Sequence, residues 1–264
     1  MVEVIVLSVL QGIAEFLPIS SSGHLILGRS LLGLGDVGLR LDIFLHVGTL
    51  IAVFAFYGAT VGRLAKGLFD AESSANRMAA WSYAAKIVLS AVPAGVVGLL
   101  FKDAIGTTFA APKAVGGALL FTGVVLTVTR FLPKGERDVS FGRAFLMGVA
   151  QAAAILPGVS RSGLTLAAAR AAKVDAAKSA EFSFLMSAPP IAGAALLEIL
   201  KAVRASEAAA VPEVGWGLCA VGAALAAVVG YFALKLLVAS LKGRWFWLFG
   251  PYCFLVGALT LALA

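Results

Sequence analysis

Apolar residues run along this chain in ten blocks, roughly 3–17, 22–34, 42–61, 79–101, 113–132, 143–157, 162–173, 182–200, 214–238 and 245–263. Six are long enough to cross a bilayer as helices, which takes about 20 residues. The other four are shorter and form two pairs, each broken in the middle, by "LPISSSG" (17–23) and "LPGVSRSG" (156–163). Proline pushes the residue before it out of the helical region, so each short pair is expected to enter the membrane and return as two half-helices. Non-helical backbone at membrane depth is tolerated only beside protein or a water-filled cavity. The two breaks are therefore expected to face each other or a cavity. The blocks are continuously apolar rather than alternating, which excludes a β-barrel.

The expected fold is an all-α polytopic membrane protein, with six transmembrane helices and two re-entrant helix pairs in a single integral membrane domain, 1–264. The breaks also repeat one another. Gln11 and Gln151 lie 140 positions apart, and the same offset sets Ser20 on Ser160, Ser22 on Ser162, Gly23 on Gly163, Phe44 on Phe184 and Leu45 on Leu185. Each half, about 1–135 and 136–264, reads as a re-entrant pair followed by three crossings. An odd number of crossings turns the second half upside down. Such an inverted-topology repeat places polar sites near the bilayer midplane, where the halves meet.

Composition sharpens this picture. Of 264 residues, 61% are hydrophobic and 13% charged, about half the charge of a soluble domain. The net charge of +7 belongs to loops held against anionic lipid. No basic cluster is interleaved with aromatics, so no nucleic-acid partner is expected. Thirteen Lys and Arg, within 63–77, 130–143, 170–178 and 235–244, fall on one side of the predicted topology. Six fall on the other: Arg29, Arg40, Lys102, Lys113, Lys201 and Arg204. The richer side is cytoplasmic by the positive-inside rule, which puts both termini outside. Glu3 stands where a cleavable signal would carry basic residues. Cys219 and Cys253 lie in apolar blocks without metal-site or redox spacing and read as packing residues.

The breaks hold the chemistry. Gln11 and Glu15, four apart, share a helix face, and an ionisable residue within a membrane segment is a functional candidate by default. Ser20, Ser21 and Ser22 follow, and His24 stands three or four residues beyond Ser21 and Ser20. The second break offers Ser160, Arg161, Ser162 and Thr165 at a helix start, where free N–H groups bind anions. Arginine adds a fork that matches phosphate oxygens. Two helix N-termini and an arginine aimed at the membrane interior suit a diphosphate. Glu15 would repel it unless a divalent cation, Mg²⁺ or Ca²⁺, were held by Glu15, Gln11 and phosphate oxygens.

These motifs resemble those of the undecaprenyl-diphosphate phosphatases, also called bacitracin-resistance proteins. The resemblance spans essentially the whole chain, through Gln11–Glu15, "FLPISSSGH", "PGVSRSGLT" and "EFSFLMSAP" (181–189). It implies metal-dependent hydrolysis of a long-chain isoprenyl diphosphate, recycling the lipid carrier of bacterial cell-wall synthesis at the inner membrane. It also implies a homodimer, antagonism of bacitracin through the shared substrate, and functional positions at Glu15, Ser21, His24, Ser160, Arg161 and Thr165. Some members carry Glu where this chain has Gln11.

On this reading Arg161, Ser160, Ser162 and Thr165, with Ser20 and Ser22, hold the diphosphate while Glu15 and Gln11 position the cation. Ser21 attacks with His24 as base, or His24 activates a water. The rival reading is an isoprenyl-phosphate transporter or flippase, since inverted repeats with broken helices are transporter architecture. Transport needs no nucleophile–base pair, which favours the enzyme; flipping could accompany hydrolysis. His46 in "FLHVGT" reads as structural, Lys86 with Glu181 as a supporting ion pair, and Pro189 and Pro190 as a helix kink. The four tryptophans read as interfacial anchors.

Overall fold

The computed structural model describes residues 1–33, 39–108, 111–204 and 214–263, and their side chains except at 39, 102–108, 194 and 197–204. The side chains of Lys102, Lys201 and Arg204, and the predicted block end at 34, lie outside the described residues. The described residues form eleven α-helices and no strand: α1 (Val2–Phe16), α2 (Ser21–Leu31), α3 (Leu39–Phe56), α4 (Gly58–Leu68), α5 (Ser74–Thr108), α6 (Pro112–Val128), α7 (Phe141–Ala153), α8 (Arg161–Ala171), α9 (Ala176–Arg204), α10 (Trp216–Lys242) and α11 (Phe249–Leu263).

Four helical stretches among them are long and apolar enough to cross a bilayer, and α3 with α4 would make a fifth. Their outward residues, such as Val88, Leu99, Phe121, Phe232 and Leu255, are apolar and exposed. A surface of that kind suits lipid. The block expected at 42–61 is not one straight helix. It breaks at Tyr57, and α4 leaves at 78° to α3. The polar content of "GATVGRLAKGL", with Arg63 and Lys66, explains the turn, because this amphipathic helix keeps its cations out of hydrocarbon.

The two short pairs are α1/α2 and α7/α8. The longest of these helices has 15 residues, about 22 Å at 1.5 Å per residue, too short for a core of about 30 Å. Each second helix is capped by a serine. Ser20 Oγ accepts from the Gly23 N–H at 3.3 Å, and Ser160 Oγ from the Gly163 N–H at 3.1 Å. Leu17, before Pro18, is extended at φ −64°, ψ 144°.

Helix contacts come in matched sets. α1 packs on α10 and α7 on α5; α3 packs on α10 and α9 on α5; α6 and α11 pack on each other. α6 and α11 meet backbone to backbone, with Gly116 against Gly257 and Gly123 against Gly250. The interior closes over Phe16, Leu126, Phe184, Leu234 and Leu237, all buried. Cys219 and Cys253 are buried thiols, as their packing role requires.

Where α7 crosses α5, a Cβ built on Gly148 would lie 2.4 Å from the Ser90 carbonyl oxygen, whereas one on Gly95 would meet nothing within 4 Å. Gly148→Ala should cost about 1–3 kcal/mol through forced separation of the helices. Gly95→Ala should be neutral or stabilising by up to about 1 kcal/mol. Thermal unfolding of both variants in detergent checks the contrast.

Candidate active site

The two breaks touch, as expected of exposed backbone kept from lipid. Ser20 Oγ accepts a second hydrogen bond, from the Gly158 N–H at 3.1 Å. Thr122 of α6 donates to the Gly158 carbonyl and accepts from the Ser160 N–H, both at 3.1 Å. The second break is one residue longer between its proline and its capping serine, and Gly158 lies in the extra length. Its φ of +91° lies in the left-handed region, and a Cβ there would fall 2.6 Å from the Val115 carbonyl oxygen. Only glycine fits both demands. Ser20, also at positive φ (71°), is held there by the hydrogen bonds its side chain accepts.

Glu15 and Arg161 join the halves. Arg161 Nη2 donates to Glu15 Oε1 at 2.5 Å, while Glu15 Oε2 accepts from Ser21 Oγ at 2.7 Å and from Gln11 Nε2 at 3.2 Å. Both charged side chains are largely buried, 8% exposed for Glu15 and 16% for Arg161. Removing one member of a buried pair costs about 3–5 kcal/mol, because the other charge is left uncompensated. The guanidinium lies 5.5 Å over the Phe184 ring, and its Nη1 is buried with no hydrogen-bond partner among the described residues. One donor of the fork is therefore unspent.

A cavity of about 460 Å³ opens on this pair. Glu15, Ser20, Ser21, Ser22, Ser160 and Arg161 line it, with Asp42 and His46 of α3. Its apolar wall includes Ile43, Ile155, Pro190, Ile191 and Ala195. A charged end with hydroxyls and an apolar wall together fit an amphiphile with an anionic head.

The structure rearranges several expected roles. Ser21 donates to Glu15, and His24 has both ring nitrogens engaged elsewhere. Its Nδ1 lies 2.9 Å from the Ser20 carbonyl and its Nε2 2.8 Å from the Tyr252 hydroxyl of α11, and it does not line the cavity. Thr165 is fully buried and turned to Ser183 at 2.7 Å, and Ser162 is bonded to Ser160 and the Leu17 carbonyl. Both sit behind the lining residues. Lys86 and Glu181 do not pair: the Lys86 amine lies 5.4 Å over the Phe141 ring, and Glu181 accepts from Thr60 and Tyr83. Pro190 is part of the cavity wall as well as of α9. His46, read from the sequence as structural, and Asp42 both line the cavity; α3 lies outside both breaks, and their four-residue spacing, which puts both on one helix face, was the available signal.

A divalent cation was expected at Glu15 and Gln11. Among the described residues Gln11 Oε1 is buried without a partner, one turn from Glu15, so a hard oxygen donor stands ready. Among the described residues no group of three His, Cys, Asp or Glu could hold a metal alone. The residues fit a cation whose shell substrate phosphates complete, which is how Mg²⁺ is ordinarily held.

Fold and site together define a helical multi-pass membrane protein with a buried, charge-paired polar cavity between two broken helices. Residues 4–259 match the family described as bacitracin resistance protein BacA, and the chain belongs to that family. It is 40% identical to a protein of Desulfatibacillum aliphaticivorans, over 98% of this chain and 97% of that one. It is 35% identical to one of Methanosphaera stadtmanae (98% and 96%) and 37% to one of Halothermothrix orenii (99% and 97%). All three relatives are named undecaprenyl-diphosphatase.

Thr122→Val removes the hydroxyl that joins Gly158 to Ser160 while keeping its volume. A buried N–H loses its partner, and stability should fall by about 1–3 kcal/mol; thermal unfolding in detergent measures it.

Proposed function

We infer that this protein is an undecaprenyl-diphosphatase, hydrolysing undecaprenyl diphosphate to the monophosphate and inorganic phosphate. The observation that carries the reading is the buried Glu15–Arg161 pair lining a cavity with an apolar wall, in a chain that matches diphosphatases along its whole length. A transporter would need the arginine and the wall. It would have no use for a carboxylate bonded to a serine hydroxyl, and the relatives' names lend transport or flipping no support.

Arg161 turns its fork to the terminal phosphate, with Ser160 and Ser22 beside it. Ser21 attacks phosphorus, and its proton passes to the Glu15 carboxylate it already bonds. The bridging P–O bond breaks towards the monophosphate, which takes that proton. Water then cleaves the phosphoserine, one of its hydrogens returning through Glu15 to the Ser21 oxygen. Stabilisation of charge on the transferring group by fixed donors is the largest expected contribution. A cation held by Glu15, Gln11 and the diphosphate would neutralise phosphate charge. His24, fixed by Tyr252, and the buried Ser162 and Thr165 shape the two helix starts from behind.

We also propose six crossings in an inverted repeat. The matched helix contacts and the twin serine caps support this arrangement. Loop charge supports both termini outside the inner membrane. A homodimer and bacitracin antagonism through the shared substrate rest on the family resemblance.

Phosphate release from a long-chain isoprenyl diphosphate by detergent-purified protein tests the reading. Ser21→Ala should lose at least about a hundredfold in kcat, and full activity in that variant would replace the serine by a directly attacking water. Arg161→Lys should lose a similar factor, because a point charge does not replace the fork. EDTA should abolish release and Mg²⁺ or Ca²⁺ restore it.

A further inference from the structure

A third element reaches the cavity from outside the breaks. His46 of α3 lines it together with the serines, and its Nδ1 lies 2.8 Å from the Asp42 carbonyl one turn earlier. A carbonyl only accepts, so in the neutral ring Nδ1 carries the hydrogen and Nε2 the lone pair. Among the described residues Nε2 has no hydrogen-bond partner. The ring is anchored from behind as well: Asp42, whose carbonyl holds it, forms an ion pair through its carboxylate with Arg29 of α2. The other imidazole in the chain, His24, has both nitrogens taken and faces away from the cavity. His46 thus presents an oriented acceptor beside donors that are already committed, Ser21 to Glu15 and Arg161 to Glu15.

Hydrolysis consumes one water, and that water must hold a lone pair towards phosphorus while its hydrogens find acceptors. We propose that His46 is the positioning residue for this water, its Nε2 accepting one hydrogen while Glu15 receives the other. The water oxygen bonds to phosphorus and the phosphorus–Ser21 bond breaks, its electron pair going to the serine oxygen. The hydrogen held by His46 stays with the attacking oxygen and leaves on hydrogen phosphate. The other passes through Glu15 to the Ser21 oxygen. His46 neither gains nor loses a proton. The assignment rests on the diphosphatase reading above, yet it holds equally if water attacks the diphosphate directly, since the same water then needs the same acceptor.

The test compares His46→Leu, His46→Gln and His46→Asn for phosphate release from a long-chain isoprenyl diphosphate in detergent. An amide oxygen on Gln reaches about as far as Nε2, whereas Asn stops short. His46→Leu and His46→Asn should each lose about a hundredfold in kcat, the order expected when a reacting group is misplaced, with KM within about threefold. His46→Gln should recover to within about fivefold of wild type. Activity of His46→Leu within threefold of wild type, a rise in KM alone, or equal losses in all three variants would overturn the assignment. Should His46→Leu not fold, judged by its gel-filtration profile and unfolding midpoint, the Gln–Asn contrast carries the same test. A wild type that releases no phosphate would overturn the diphosphatase reading, and the His46 role with it. An active wild type with insensitive variants would overturn His46 alone.

Discussion

Backbone that leaves a helix inside a membrane has to find its hydrogen bonds within the protein, and everything at the centre of this molecule follows from that requirement. Two chain breaks can each supply what the other lacks if they are brought into contact. Here a single serine oxygen, Ser20 Oγ, serves the N–H groups of both Gly23 and Gly158, and Thr122 closes the second break from α6. Once the breaks are locked together, Glu15 from one and Arg161 from the other arrive at bonding distance. The charge pair is therefore a product of the backbone problem as much as of its own attraction, which in a buried setting barely repays desolvation.

The two breaks share a frame and divide the chemistry. Ser21 and Arg161 occupy the same position, first in the helix after a capping serine, yet one carries a hydroxyl and the other a guanidinium. Glu15 corresponds to Ile155, and both line the cavity, one as its carboxylate and one as its apolar wall. The glutamines show the same division. Gln11 donates to Glu15, while Gln151, facing no such carboxylate, keeps a buried amide with no partner among the described residues.

Much of this was legible in the residues. Block lengths separated the short pairs from the longer helices, and Pro, Ser and Gly marked both breaks to within a few residues. In the sequence Glu15 read as a partner for a cation and Arg161 as one for phosphate; their direct bond is a finding of the structure. What escaped was side-chain direction. Spacing allowed Ser21 and His24 to meet, but the helix turns His24 towards α11, where Tyr252 both bonds it and stacks on it at 5.7 Å. Nothing near His24 in sequence could reveal a partner 228 residues away. The bend at Tyr57 was hidden for another reason: hydropathy averaged over 42–61 does not register where two cations change the preferred depth of a helix.

The tethering of Arg161 by Glu15 sets terms for whatever enters the cavity. An anion that takes both nitrogens of the fork must displace a carboxylate that is already bonded and desolvated. A halide, with one charge and no geometry to match the fork, gains nothing in that exchange. A terminal phosphate brings several negatively charged oxygens and can engage both the tethered and the unspent nitrogen of the guanidinium at once. Arg161 thus meets a guest with one nitrogen bound to Glu15 and another, Nη1, without a partner among the described residues.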